Sequence, residues 1–80
     1  MKTFIFAGSI EEADEYRNRN CLFGADVLLS DYPLISTRGC EVHLVGTYKS
    51  NPVWESVRTR LEVLRMFDHV RVYIEEWGRD

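Results

Sequence analysis

Two apolar runs in this chain end in a glycine and pass straight into a helix-start pattern. The first is Phe4-Ile5-Phe6-Ala7-Gly8-Ser9 and the second Val42-His43-Leu44-Val45-Gly46-Thr47. A strand that turns on glycine into a helix is the front of a strand-helix-strand unit. Two such units in one chain argue for a parallel sheet joined by right-handed crossovers. The unbroken apolar stretch of the first run suits a strand covered on both faces.

The remaining elements follow from local patterns. Ser9 with Glu12 three residues later forms a capping box, in which Ser9 accepts from the Glu12 amide and Glu12 reaches back to the cap. The helix it opens spans about 10–20, with Ile10, Ala13, Tyr16 and the stem of Arg17 on its inner stripe and Asn18, Asn20 and Gly24 as stop signals. Residues 25–31 read as a second strand, and Pro33 followed by Gly39 limits the next stretch to one helical turn. A third strand covers 41–47. Asn51-Pro52 then predicts a helix start, and Val53, Val57, Leu61 and Leu64 mark one face of a helix reaching about Phe67. Residues 69–77 alternate, with Val70, Val72 and Ile74 inward and Arg71, Tyr73 and Glu75 outward, as an edge strand does. The fold class is therefore α/β: a small three-layer Rossmann-like sandwich, with four mostly parallel strands in the order 2-1-3-4 and two main helices on opposite faces.

Eighty residues allow one domain, 1–80, with a modest core. At 45% hydrophobic and 29% charged residues, the composition is that of an ordinary globular protein and not of a disordered tail. A net charge of -3 gives no general attraction to nucleic acid or anionic membranes. No apolar run approaches a membrane span and the start is too short for a signal peptide, so the expected location is the cytoplasm. Cys21 and Cys40 lack C-x-x-C spacing and a histidine cluster. They are expected to be reduced and mostly buried, with no metal and no cofactor.

Strand order 2-1-3-4 puts a topological switch point between strands one and three, where open α/β sheets place ligands. Gly8 and Ser9 would meet Thr47 there, with Lys49 and Asn51 nearby. Helix-start amides favour a phosphate physically, which makes these five residues the candidate ligand site for a nucleotide or signal nucleotide. Neither G-x-x-x-x-G-K-[ST] nor G-x-G-x-x-G is present, and Glu11, Glu12, Asp14 and Glu15 would repel an anion at the first helix. The competing reading is two structural corners. His43 lies in a strand with no nucleophile at a recognisable spacing and reads as a partly buried packing residue, so no catalytic residue is assigned.

Charge is unevenly placed. Residues 9–20 hold Glu11, Glu12, Asp14 and Glu15 against Arg17 and Arg19, whereas 49–71 hold Lys49, Arg58, Arg60, Arg65 and Arg71 against Glu55, Glu62 and Asp68. Tyr48, Trp54, Arg58 and Arg65 combine arginine with aromatic side chains, a mixture that concentrates binding energy at protein interfaces. They form the candidate partner surface. The alternative is a solvated helix with Arg58 and Glu62 in i,i+4 support. The exposed end Tyr-Ile-Glu-Glu-Trp-Gly-Arg-Asp offers an unpaired strand edge suited to another chain's strand, including a second copy.

The segment Phe-Ala-Gly-Ser-Ile resembles the first strand and turn of nucleoside deoxyribosyltransferases. No D-x-G-T-x-x-E-like segment follows to supply that family's carboxylate nucleophile, and Glu55 lies too far from Gly46-Thr47. Over most of its length, through FAGSIEEADEYR, LISTRGCEVHLVGTY and the long helix, the chain resembles small α/β accessory proteins of actinobacterial phages. That resemblance carries no catalytic residue. It implies a cytosolic accessory protein made in a bacterial host, acting without catalysis by binding a host protein.

Overall fold

The computed structural model describes residues 2–35 and 37–77. Strand β1 (Lys2–Ala7) leads into helix α1 (Ile10–Arg19), then strand β2 (Asp26–Val27). A 3-10 turn at Tyr32–Leu34 precedes strand β3 (Cys40–Gly46), and a second at Tyr48–Ser50 precedes helix α2 (Trp54–Met66) and strand β4 (Val70–Glu76). The strands lie in the order β2-β1-β3-β4, every pair parallel. The α/β class, the 2-1-3-4 order and the two main helices are as the sequence patterns predict.

Each face of the sheet carries its own core. On the α2 face, Phe4, Phe6, Val42 and Leu44 pack under Val57, Leu61 and Leu64. On the α1 face, Ile5, Ala7 and Val45 meet Ala13 and Tyr16, a smaller cluster. β1 and β3 supply both cores because alternate side chains point to opposite faces. No helix among the described residues is long and apolar enough to cross a membrane.

Several boundaries differ from the sequence expectation. The second strand shrinks from 25–31 to Asp26–Val27; the Leu28 amide gives one more bond to Ile5 O (2.8 Å), and the chain then leaves the sheet with Leu29 exposed. Asn51-Pro52 does not open α2. Asn51 Oδ1 accepts from the Val53 amide (3.0 Å) and the helix begins at Trp54, because residues 51–54 first close a turn in which the Trp54 amide donates to Asn51 O (3.0 Å). Ile10 is exposed, not on the inner stripe. Cys40 is buried as expected, whereas Cys21 is exposed.

Cys21 is exposed because it ends α1 in the left-handed region (φ 56). The Leu22 amide bonds Arg17 O (2.8 Å) and the Cys21 amide bonds Asn18 O (3.3 Å), the paired bonds of a Schellman motif. α2 ends the same way at Asp68 (φ 59), with His69 N to Leu64 O (2.9 Å) and Asp68 N to Arg65 O (3.0 Å). The left-handed residues are thus Cys21 and Asp68, neither of them glycine; of the three stop signals Asn20 is the C-cap of α1, its Nδ2 donating to Tyr16 O (3.0 Å) at an ordinary negative φ, and Asn18 and Gly24 play no such part.

Candidate functional site

The two glycine corners do meet at the switch point. A Cβ on Gly8 would lie 2.7 Å from the Thr47 carbonyl oxygen and 3.0 Å from its carbon, so only glycine allows the approach. Gly46 sits at φ 63, and its Cβ would run into the Glu12 carboxylate and lie 3.2 Å from the Trp77 ring. Ser9 caps α1, accepting from the Glu12 amide at 3.2 Å.

The Glu12 side chain departs from the capping box. Its Oε1 accepts from the Gly8 amide (3.1 Å), the Thr47 amide (3.0 Å) and Thr47 Oγ1 (3.1 Å), and its Oε2 lies 3.0 Å from Thr47 Oγ1. The donors suited to a phosphate therefore hold an internal carboxylate. It is placed well electrostatically, because the amides at the start of α1 carry the positive end of the helix dipole. Nothing local in the sequence marks this contact, since Glu12 and Thr47 are 35 positions apart.

The other two candidate ligand residues are also engaged. Asn51 Nδ2 donates to Ala7 O at 2.9 Å, tying the loop after β3 to the end of β1. Lys49 lies beside Glu76 (3.7 Å) and over the Tyr48 ring (5.9 Å to its centroid). Gly8, Ser9, Thr47 and Asn51 gather at one end of the sheet, with Lys49 held toward β4. Trp77 packs beside Gly46, donates from its backbone amide to Gly46 O (3.1 Å) and carries the Arg19 guanidinium 5.0 Å above its ring.

Of the candidate partner surface, Tyr48 lines the same groove as Trp54, Arg58 and Arg65 but shows little of itself. It is 3% exposed, edge-on to Trp54 with centroids 5.0 Å apart, and belongs to the core. The 3-10 turn directs it inward, a reversal that Tyr beside Lys in a loop does not reveal. Trp54 is half-buried and stacks on Phe6 at 5.9 Å. Arg58 bonds Glu55 (2.6 and 3.1 Å) and Glu62 (2.8 Å), so the i,i+4 support is formed. Arg65 is exposed and has no ion pair among the described residues. Tyr48, Trp54, Arg58, Glu62 and Arg65 edge a groove of about 170 Å³ between α2 and β4, floored by Leu44, Leu61, Val72 and Ile74.

His43 is half-buried on the α1 face, its ring between Tyr16 and Tyr73. Tyr16 Oη lies 2.8 Å from its Nδ1, and the Tyr73 ring stacks at 4.9 Å. Burial holds the imidazole below its ordinary value, and Glu41, 3.9 Å from Nε2, pulls only partly the other way. Burial first and Glu75 second raise the Tyr16 phenol. A protonated phenol donating to a neutral imidazole satisfies the Tyr16 hydroxyl and His43 Nδ1, whereas the Nε2–H finds no hydrogen-bond partner among the described residues. Burial also raises the Cys40 thiol, which stays protonated and unreactive. No group of three or more His, Cys, Asp or Glu residues among the described residues is arranged to hold a metal ion.

No protein family, curated protein or solved structure matches the chain.

Proposed function

We propose that this chain is a non-enzymatic binding module that docks a segment of a protein partner in the groove between α2 and β4. The groove itself carries this reading: an apolar floor ending in Ile74, which is 61% exposed, beside Arg65, which has no ion pair among the described residues. An apolar side chain seated on Leu61 and Ile74, with a carboxylate against Arg65, is the complementary occupant. Arg58, held by Glu55 and Glu62, is a fixed wall of the groove. On the likeness to phage accessory proteins, the partner is a host protein and the setting is the host cytosol.

The nucleotide alternative has less support, because the Glu12 carboxylate uses the Gly8 and Thr47 donors that a phosphate would need. Selection of displayed random peptides on the immobilised protein tests the proposal. The expected result is acidic, apolar sequences whose binding falls at least about tenfold in Arg65→Glu. Peptides indifferent to Arg65→Glu would refute it. In a parallel thermal-shift series, a nucleotide-dependent rise lost in Lys49→Ala would move the function to the glycine corners.

A further inference from the structure

We infer that β4 pairs antiparallel with β4 of a second copy of this chain, about a two-fold axis through Tyr73, extending the sheet from four strands to eight. The two edges of the sheet are unlike. β2 is two residues long, and Asp26 there faces Lys2 at 3.3 Å. β4 is seven residues long, without proline, and no described strand lies beyond it. A long uncapped edge is a template for another strand.

The open side of β4 can be read from its ladder. His69 O accepts from the Cys40 amide and the Trp77 amide donates to Gly46 O, both at 3.1 Å, so odd-numbered positions turn their backbone groups to β3. The N–H and C=O groups of Val70, Val72, Ile74 and Glu76 therefore face outward. With Tyr73 on the axis, Val72 and Ile74 become mutual hydrogen-bonded pairs, as do Val70 and Glu76. Tyr73 meets Tyr73 and Arg71 meets Glu75 at the closer, non-hydrogen-bonded positions.

Charge selects this register. Centring on Arg71 or Glu75 sets like charges opposite each other, and centring on Val72 or Ile74 puts the charges against Tyr73 and shortens the ladder. Only the Tyr73 register opposes Arg71 to Glu75, twice, and uses all seven residues. Arg71 has no ion pair among the described residues. Glu75 has its Oε2 held by Arg19 (2.8 Å) and by Trp77 Nε1 (2.7 Å), which fixes the carboxylate and leaves Oε1 without a described partner. The pairing also sets Ile74 (61% exposed) beside Val72 of the second copy and Tyr73 (43% exposed) beside its own counterpart, and leaves the α2 side of Ile74 open to the groove. Because the axis is normal to the sheet, both α2–β4 grooves fall on one face. The dimer does not depend on either groove having a partner.

Sedimentation equilibrium of the intact chain at about 100 μM, a concentration that populates even a micromolar dimer, should read a dimer. Arg71→Glu and Glu75→Arg each oppose like charges twice and should weaken association at least about tenfold. An equimolar mixture of the two should recover a dimer, because every Glu then faces an Arg. Ile74→Pro removes an outward N–H and no bond to β3, so it should give a monomer with the far-UV dichroism of the wild type. A monomeric wild type at that concentration would overturn the inference. So would a dimer indifferent to both charge reversals, or a mixture that stays monomeric.

Discussion

Replacing Glu12 with alanine should cost more stability than a partly exposed helix residue normally does. The carboxylate accepts from the Gly8 amide, which is partly buried, and from the amide and hydroxyl of Thr47, which is exposed. Hydrogen bonds to a charged group contribute about 1.5–3 kcal/mol each where water cannot replace them, and well under that where it can. Assigning about 1.5 kcal/mol to the Gly8 bond and about 1 kcal/mol to the two Thr47 bonds together gives roughly 2.5 kcal/mol. The better helix propensity of alanine returns a few tenths. For a domain of this size the remainder lowers Tm by about 10–15 °C. Urea unfolding of wild type, Glu12→Ala, Thr47→Val and the double variant measures both the loss and the coupling. A loss below about 0.5 kcal/mol, or additive single effects, would refute a clamp joining the two corners.

Other substitutions test the remaining geometry. Gly8→Ala drives a methyl into the Thr47 main chain and should cost about 2–3 kcal/mol, with a similar loss for Gly46→Ala, where the left-handed backbone adds strain; urea midpoints check both. Cys21→Gly relieves a left-handed cap and should raise stability by about 1 kcal/mol, whereas Asp68→Gly should gain only a few tenths, since aspartate tolerates that conformation better; thermal melts order the two. The folded chain holds His43 below its ordinary value of 6.5, so the unfolded state takes up this proton first as the pH falls. The stability from keeping His43 neutral is present above about pH 6.5 and is lost as the pH drops through the folded value. His43→Gln should flatten the difference between urea midpoints at about pH 7.5 and about pH 5.5, and an unchanged difference would assign it to other groups.

Much of the architecture was legible because it is written in short-range patterns. Phe4 to Phe6, Val42 to Val45 and the spacing of Val57, Leu61 and Leu64 each identify an element within a few residues, and the alternation of strands with helices then sets the order 2-1-3-4. The site was legible only as a meeting of Gly8 with Thr47. That Glu12 would occupy it depends on the distance between two elements brought together by the whole sheet. Lys49 turning to Glu76 and Tyr48 turning inward have the same cause: a short turn whose side-chain directions are set by β4 and α2. β2 reads longer in the sequence than it is because Leu28 and Leu29 look like strand residues, yet the chain leaves the sheet to place Leu34 in the core.

The register of β1 also bears on the order in which the molecule can form. Lys2 pairs with Cys40 and Ala7 with Val45, so β1, made before β3, waits through α1, β2 and the first 3-10 turn before its main neighbour exists. In that interval Phe4, Ile5 and Phe6 have only the two residues of β2 for pairing. β3 is made before α2 and β4, so β1 can close onto it while they are still being added; both crossovers close loops of similar length. Until β3 is available, the apolar β1 is thus exposed to stray association with other nascent chains.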